Sequence, residues 1–136
     1  MSTVAGDTYI EYNKFVNSGA VTVYQAAGRD GNVYIRYNLF QNMLSPIHHA
    51  GGTPGTCQLI VNYNSFIDTE GMVLWLEQDF ETASINGIEN YWGTTDTDII
   101  DQKIYDKNDD IRVKNYINYL PILTEPHSDT PQADQG

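Results

Sequence analysis

The stretch Tyr37-Asn38-Leu39-Phe40 is one of four copies of a short pattern in which an Asn is followed, two residues later, by a large aromatic residue. The other copies are Tyr12-Asn13-Lys14-Phe15, Tyr63-Asn64-Ser65-Phe66 and Glu89-Asn90-Tyr91-Trp92. The Asn residues stand at positions 13, 38, 64 and 90, at intervals of 25, 26 and 26 residues. A fixed period of this length indicates stacked repeat units, each of which buries its apolar face against its neighbours.

The residues around each copy favour strands. Apolar and β-branched residues alternate in short runs such as Val33–Tyr37 and Leu59–Tyr63, whereas the best helical candidate, 77–84, is short and uncapped. The sequence therefore predicts an all-β fold, a short right-handed parallel β-helix (solenoid) of about four coils with an extended closing segment after Asp101. Equivalent positions would stack about 4.8 Å apart.

Residues at the same distance in sequence from each Asn should stack on one another and form columns along the solenoid. Three residues before it stand aliphatic residues that should point inward: Ile10, Ile35 and Val61. Two residues after it stand aromatic residues that should also fill the core: Phe15, Phe40, Phe66 and Trp92. Glu11 and Arg36 should face outward and pair across coils. We expect the Asn itself to adopt the left-handed turn conformation and to bond the coils above and below.

Composition divides the chain into three parts. Residues 1–7 are small and polar and predict a flexible N-terminus, residues 8–126 form the β-helix domain, and residues 127–136 lack an apolar anchor and predict a disordered tail.

The charge balance limits the partners. Lys and Arg number 7 against 18 Asp and Glu, so the net charge is −11. This disfavours nucleic acid and anionic membrane surfaces, which both need basic residues. The single cysteine, Cys57, cannot form an internal disulfide, and we expect no cofactor. Without a signal-like N-terminus, the sequence as given predicts a cytoplasmic location, or an extracellular one if it is a fragment of a secreted protein.

The Asn-aromatic repeat resembles the right-handed parallel β-helix proteins of the pectin-lyase-like superfamily, over residues 8–126. Four stretches together resemble the closing turn of such domains: Asn90-Tyr91-Trp92-Gly93-Thr94, Ile104-Tyr105-Asp106, the residues Val113, Asn115 and Tyr116, and Tyr119-Leu120-Pro121. The resemblance implies a solenoid that serves as a polysaccharide lyase or hydrolase, a binding module or a structural fibre. No catalytic residue is carried over, because none of the three arginines, Arg29, Arg36 and Arg112, lies in a recognisable motif.

Members of that superfamily close the N-terminal end of the solenoid with a capping element, and here only residues 1–7 precede the first coil. An open end exposes strand edges and core residues. We expect it to be covered by another copy in a homo-oligomer, unless the chain is the C-terminal piece of a larger protein. The residues of this expected interface are Tyr9, Ile10, Tyr12, Asn13 and Phe15.

An aromatic strip is the first candidate for ligand binding. In one register Tyr24, His49 and Trp75 stack on the outside of the solenoid and could hold a carbohydrate, whereas a shift by one residue turns Trp75 inward.

Acidic residues supply the remaining candidates. Asp106–Asp110 imitates the start of a calcium loop, but Ile111 and Ile117 replace the Gly and Glu of an EF-hand. Glu77, Asp79 and Glu81 could form a carboxylate pair for glycosidic cleavage. The function expected first is a non-enzymatic binding or interaction module that associates with itself, and the alternative is a polysaccharide-active enzyme or a fragment of one.

Overall fold

The computed structural model describes the chain over residues 7–17, 21–25, 32–51, 58–76, 84–106, 109 and 116–133. Within these ranges the regular elements are eleven strands and one helix. In chain order these are β1 (Thr8–Glu11), β2 (Lys14–Val16), β3 (Val21–Gln25), β4 (Val33–Arg36), β5 (Leu39–Gln41), β6 (Ile47–Gly51), β7 (Gln58–Asn62), β8 (Ser65–Ile67), β9 (Leu74–Leu76), β10 (Ser84–Asn86), α1 (Thr97–Asp101) and β11 (Ile104–Tyr105).

The strands form three sheets in which every pair is parallel. Their orders are β1-β4-β7-β10, β2-β5-β8 and β3-β6-β9-β11, here called sheets one, two and three. Each strand therefore pairs with its equivalent one repeat further along the chain. The fold is all-β, as predicted, and the parallel sheets are compatible with a solenoid. We number the repeats 1 to 4 by their Asn residues, Asn13, Asn38, Asn64 and Asn90.

The inward columns of sheets one and two are those that the sequence predicts. Ile10 pairs with Ile35, which pairs with Val61. Phe15 pairs with Phe40, which pairs with Phe66, and adjacent rings in this column lie 5.1 and 5.4 Å apart. A buried core of aliphatic and aromatic residues results because equivalent side chains meet at every repeat.

The four repeat Asn residues form a continuous chain of hydrogen bonds, here called the Asn ladder. Asn64 Oδ1 accepts from the backbone N–H and the Nδ2 of Asn38, at 2.9 and 3.2 Å. Asn64 in turn donates to Asn90 Oδ1 from both groups, at 3.0 Å. Asn38, Asn64 and Asn90 are fully buried, so their amides are satisfied by repetition.

The left-handed turn lies one residue earlier than predicted. The residue that precedes each ladder Asn has a positive φ: Tyr12 (60°), Tyr37 (58°), Tyr63 (60°) and Glu89 (59°). An L-residue pays roughly 1–2 kcal/mol to adopt this conformation. The turn directs the next N–H at the Asn oxygen of the following repeat, which offsets the strain.

A second turn with positive φ follows each sheet-two strand, at Asn17, Asn42 and Asp68. Repeat 4 departs from this, because its turn uses Gly93 (φ 77°).

Two features of the C-terminal part differ from the sequence prediction. Helix α1 begins after Asp96, whose carboxylate accepts from the Asp98 N–H, and it buries Ile100. Two residues of the segment 127–136, for which the sequence predicts a disordered tail, contact the repeats. His127 contacts the rings of Tyr37 and Tyr63 at 5.1 Å, and Thr130 Oγ1 donates to the Tyr63 carbonyl at 2.6 Å. These polar and aromatic contacts replace the apolar anchor that the tail lacks. We call residues 124–133 the C-terminal strap.

Candidate functional site

The outer edges of β1, β2 and β3, here called the N-terminal end, are the first edge of each sheet. No other strand pairs with these edges within the described parts of the chain. The N–H groups of Thr8 and Tyr12 donate to repeat 2. Because N–H groups alternate in direction along a strand, those of Tyr9 and Glu11 face away from repeat 2, toward the open edge. The N-terminal end thus offers backbone groups that a further strand could bind.

Burial distinguishes the two sides of repeat 1. Ile10 and Phe15 are only partly buried, although their partners Ile35 and Phe40 are fully buried. Core side chains of repeat 1 are therefore partly exposed to solvent at this end.

Three aromatic rings end their stacks at this surface. Tyr9 stacks on Tyr34 at 4.9 Å with planes 8° apart, and Tyr12 stacks on Tyr37 at 5.0 Å with planes 3° apart. Phe15 lies in the same way on Phe40, with planes 14° apart. The other face of each of these rings meets no ring among the described residues, and Tyr9 and Tyr12 are 57% and 61% exposed. The N-terminal end therefore presents open π-faces beside open strand edges.

The Asn ladder also ends here. Asn13 donates its backbone N–H and Nδ2 to Asn38 Oδ1, at 2.9 and 3.1 Å, but in the described structure no donor reaches its own Oδ1. Asn13 is exposed, unlike the other ladder residues.

The predicted pair between Glu11 and Arg36 is present, with 2.9 Å between Arg36 Nη2 and Glu11 Oε2. The guanidinium also lies over the Tyr34 ring at 5.0 Å. This contact ties repeat 1 to repeat 2 on the outside of sheet one.

The predicted strip of Tyr24, His49 and Trp75 is not a column of the structure. Tyr24 pairs with Ala50, and His49 pairs with Leu76. Trp75 pairs instead with His48, and their rings stack at 4.4 Å. This register fails because the segment between the Asn and sheet three is one residue longer in repeat 2 than in repeat 1, and one longer again in repeat 3.

The distance in sequence from each Asn to its paired sheet-three residue differs between repeats. The paired residues Thr22, His48 and Trp75 stand 9, 10 and 11 residues after Asn13, Asn38 and Asn64 (22 − 13, 48 − 38 and 75 − 64). A fixed count from the Asn therefore drifts out of register by one position per repeat, which turns a side chain to the other face.

The observed column continues from Trp75 to Tyr105, whose rings lie 5.9 Å apart at 59°. Counting from the Asn residues did not place His48 and Tyr105 in this column, and only the turn lengths could have revealed their positions. His48 covers one face of the Trp75 indole, and Tyr105 lies against its other side. Stacking of a sugar ring needs an open aromatic face, which these two contacts reduce at Trp75. Carbohydrate binding by Tyr24, His49 or Trp75 stays a prediction.

The acidic candidates divide into two groups. Asp106 is buried, and its Oδ2 accepts from the Ile117 N–H at 2.7 Å while its N–H donates to Asp109. This carboxylate therefore joins the end of β11 to the backbone at Ile117. The rest of the imitated calcium loop, 107, 108 and 110, lies outside the described residues, as do Glu77, Asp79 and Glu81, so catalysis by that carboxylate pair stays a prediction.

Over the described ranges no cluster of three or more His, Cys, Asp or Glu is placed to hold a metal ion. Two depressions of about 230 and about 320 Å³ lie beside α1 and share Ile99 and Lys103. The ammonium of Lys103 donates to the Thr69 carbonyl at 2.8 Å, which links α1 to repeat 3.

Comparison of the chain with protein-family models, with curated proteins and with solved structures gave no match. The described part of the chain contains no helix that is long and apolar enough to cross a membrane.

Proposed function

We propose that this protein is a non-enzymatic interaction module that associates with a second copy of itself through the N-terminal end. One observation carries the proposal. Ile10 and Phe15 of repeat 1 are part-exposed, whereas the residues that pair with them are fully buried. Covering this end would place repeat 1 in the environment that repeats 2 and 3 already have.

We further propose that the three sheets are the walls of a right-handed parallel β-helix of about four coils, of the pectin-lyase-like kind. The support is the pairing of each strand with its equivalent one repeat later, in all three sheets. Connections between parallel strands of one sheet are right-handed in nearly all proteins. In such a solenoid the N-terminal end is a flat cross-section of the whole domain.

A second copy matches this surface in two ways. It supplies strand edges that can bind the outward N–H and C=O groups of β1, which are the groups that make exposed edges prone to pairing. It also supplies rings that can stack on Tyr9, Tyr12 and Phe15. Aromatic pairs contribute about 0.5–1.5 kcal/mol each beyond the area they bury.

Sedimentation velocity of three proteins tests the proposal. The wild type is expected to sediment at twice its chain mass of 15.3 kDa. Tyr12→Glu is expected to be a monomer, because it places a charge on the open ring position. Its backbone should tolerate the change, because Glu89 occupies the equivalent position of repeat 4 with nearly the same φ.

Leu44→Glu is the matched control. Leu44 is 70% exposed but lies in the wall of the molecule, at the bridge to Glu70. The Leu44→Glu variant should therefore form the same dimer as the wild type. A wild type that stays at 15.3 kDa at every concentration, or equal disruption by both variants, would contradict the proposal.

A further inference from the structure

We infer that the association is a closed pair in which two N-terminal ends face each other around a two-fold axis, and that it does not grow into a filament. This inference rests on the proposed function and specifies its geometry. It follows from the difference between the two ends of the molecule.

The opposite end is closed by the chain itself. Residues 117–123, here called the cap segment, run along the outer edge of β10. The Gly87 N–H donates to the Asn118 carbonyl at 2.8 Å, and the Glu89 N–H donates to the Pro121 carbonyl at 2.7 Å. The Leu123 N–H donates to the Asn90 carbonyl at 2.9 Å. The C-terminal edge of sheet one is thus already paired from Asn86 onward.

The core is closed at this end too. Ile100 of α1 is fully buried and Ile117 of the cap segment is 4% exposed, and both belong to the same core as Phe66 and Trp92. The buried Asp106 carboxylate fixes the Ile117 backbone. No comparable cover is present over Ile10 and Phe15 within the described ranges.

Gly87 lies between the core and the cap segment. A Cβ at this position would lie 2.5 Å from Leu74 Cδ1, which is too close, and 3.5 Å from the Asn118 carbonyl oxygen, which is an ordinary contact. The Leu74 side chain of the core therefore requires a small residue where the chain meets the cap segment.

Two copies could stack head-to-tail or head-to-head, and the closed C-terminal end favours the second arrangement. A head-to-tail contact repeats without limit and needs a free edge at both ends of each copy. The cap segment occupies the C-terminal edge of sheet one from Asn86 onward, and α1 and Ile117 cover the core beside it. A head-to-tail contact would find no open edge for β1 there, which leaves a contact between two N-terminal ends. That contact uses the same surface on both copies, and it is complete with two chains.

Light scattering over a wide concentration range, with one variant at each end, tests the inference. Tyr12→Glu alters the N-terminal end, and Leu120→Glu alters the cap segment at a residue that is 50% exposed. We expect the wild-type mass to level off at two chains, Leu120→Glu to pair with unchanged affinity, and Tyr12→Glu to remain single.

A mixture gives an independent readout. Affinity-tagged Tyr12→Glu is incubated with untagged wild type and recovered. A head-to-head pair predicts no wild type above background, since the altered end is the only contact surface, whereas head-to-tail stacking predicts recovery through the intact C-terminal end. Tagged Leu120→Glu should recover wild type efficiently, which establishes that the tag permits pairing.

The outcomes separate the two claims. A wild type that is single at all concentrations overturns the proposed function and this inference together. Growth beyond two chains, loss of pairing in Leu120→Glu, or recovery of wild type by Tyr12→Glu leaves self-association in place and overturns the closed pair.

Discussion

Asn64 shows how one side chain serves three repeats. It accepts two hydrogen bonds from Asn38, donates two to Asn90 Oδ1, and its Nδ2 also donates to the Ile35 carbonyl at 2.8 Å. Every one of these groups is away from water. A buried group that loses its partner costs about 1–3 kcal/mol, more than a typical hydrogen bond contributes.

Asn64→Ala should therefore be severe and Asn13→Ala mild. The first removes the acceptor of the Asn38 N–H and should lower the free energy of unfolding by about 1–3 kcal/mol for each group left unpaired. The second removes the side chain of an exposed Asn, and the Asn38 Oδ1 keeps the Asn13 backbone N–H as a donor. Urea unfolding followed by circular dichroism measures both. Equal losses in the two variants would show that the ladder does not depend on burial.

Two tyrosines make stability sensitive to alkaline pH. The Glu89 charge, with some burial, raises the pKa of Tyr63, and burial followed by the Asp101 charge raises the pKa of Tyr119. A pKa that is higher in the folded state favours folding below the unfolded value of about 10, and this contribution is lost as pH rises through the folded pKa.

The double variant Tyr63→Phe and Tyr119→Phe should thus lose less stability than the wild type above about pH 10. Thermal melts between neutral and alkaline pH measure this, with the exposed Tyr116→Phe as the control. Parallel curves for wild type and double variant would refute the assignment.

At this scale much could be predicted from the sequence. The inward columns and the pairing of Glu11 with Arg36 follow from the period, because a residue's partner is its own equivalent. The left-handed residue was placed one position late. The amide of Asn is a familiar signal for such turns, whereas the positive φ at Tyr12, Tyr37 and Tyr63 is imposed by the ladder and leaves no local signal in an aromatic residue.

At the scale of elements, the C-terminal strap crosses two repeats. Its Thr130 is 5% exposed and bonds the Tyr63 backbone, and its His127 lies against the two stacked rings of Tyr37 and Tyr63. The strap therefore adds contacts between repeats that are independent of the sheets.

Thr130→Val should detach this part of the strap at little cost in volume. Loss of the 2.6 Å hydrogen bond to Tyr63 should lower the free energy of unfolding by about 0.5–1.5 kcal/mol. Limited proteolysis after residue 126 should also become faster. Thr124→Val, at an exposed threonine of the same segment, is the control and should behave like the wild type.

Two elements could not be predicted from the pattern, for physical reasons. The register of sheet three depends on turns whose length changes from repeat to repeat, so a period counted from the Asn residues cannot fix it. Helix α1 lies outside 77–84, the best helical candidate of the sequence. Its five residues are too few to show a helical period, and only the Asp96 cap marks its start.

At the scale of the whole molecule, the two ends differ. Residues 117–123 and α1 cover the core at one end. At the other end, no further strand pairs with the edges of β1, β2 and β3 within the described residues. The exposed interface residues expected from the sequence, Tyr9, Tyr12 and Asn13, all lie on that second end, beside the part-buried Ile10 and Phe15. Their role in an interface stays a prediction.

Residue-resolved amide hydrogen exchange at several protein concentrations tests whether a second copy covers the N-terminal end. If it does, exchange at Tyr9 and Glu11, whose N–H groups face the open edge, slows as the protein concentration rises. Exchange at Asn118 and Tyr119 in the cap segment should stay constant. Exchange at Tyr9 and Glu11 that is fast and independent of concentration would show that the N-terminal end stays uncovered.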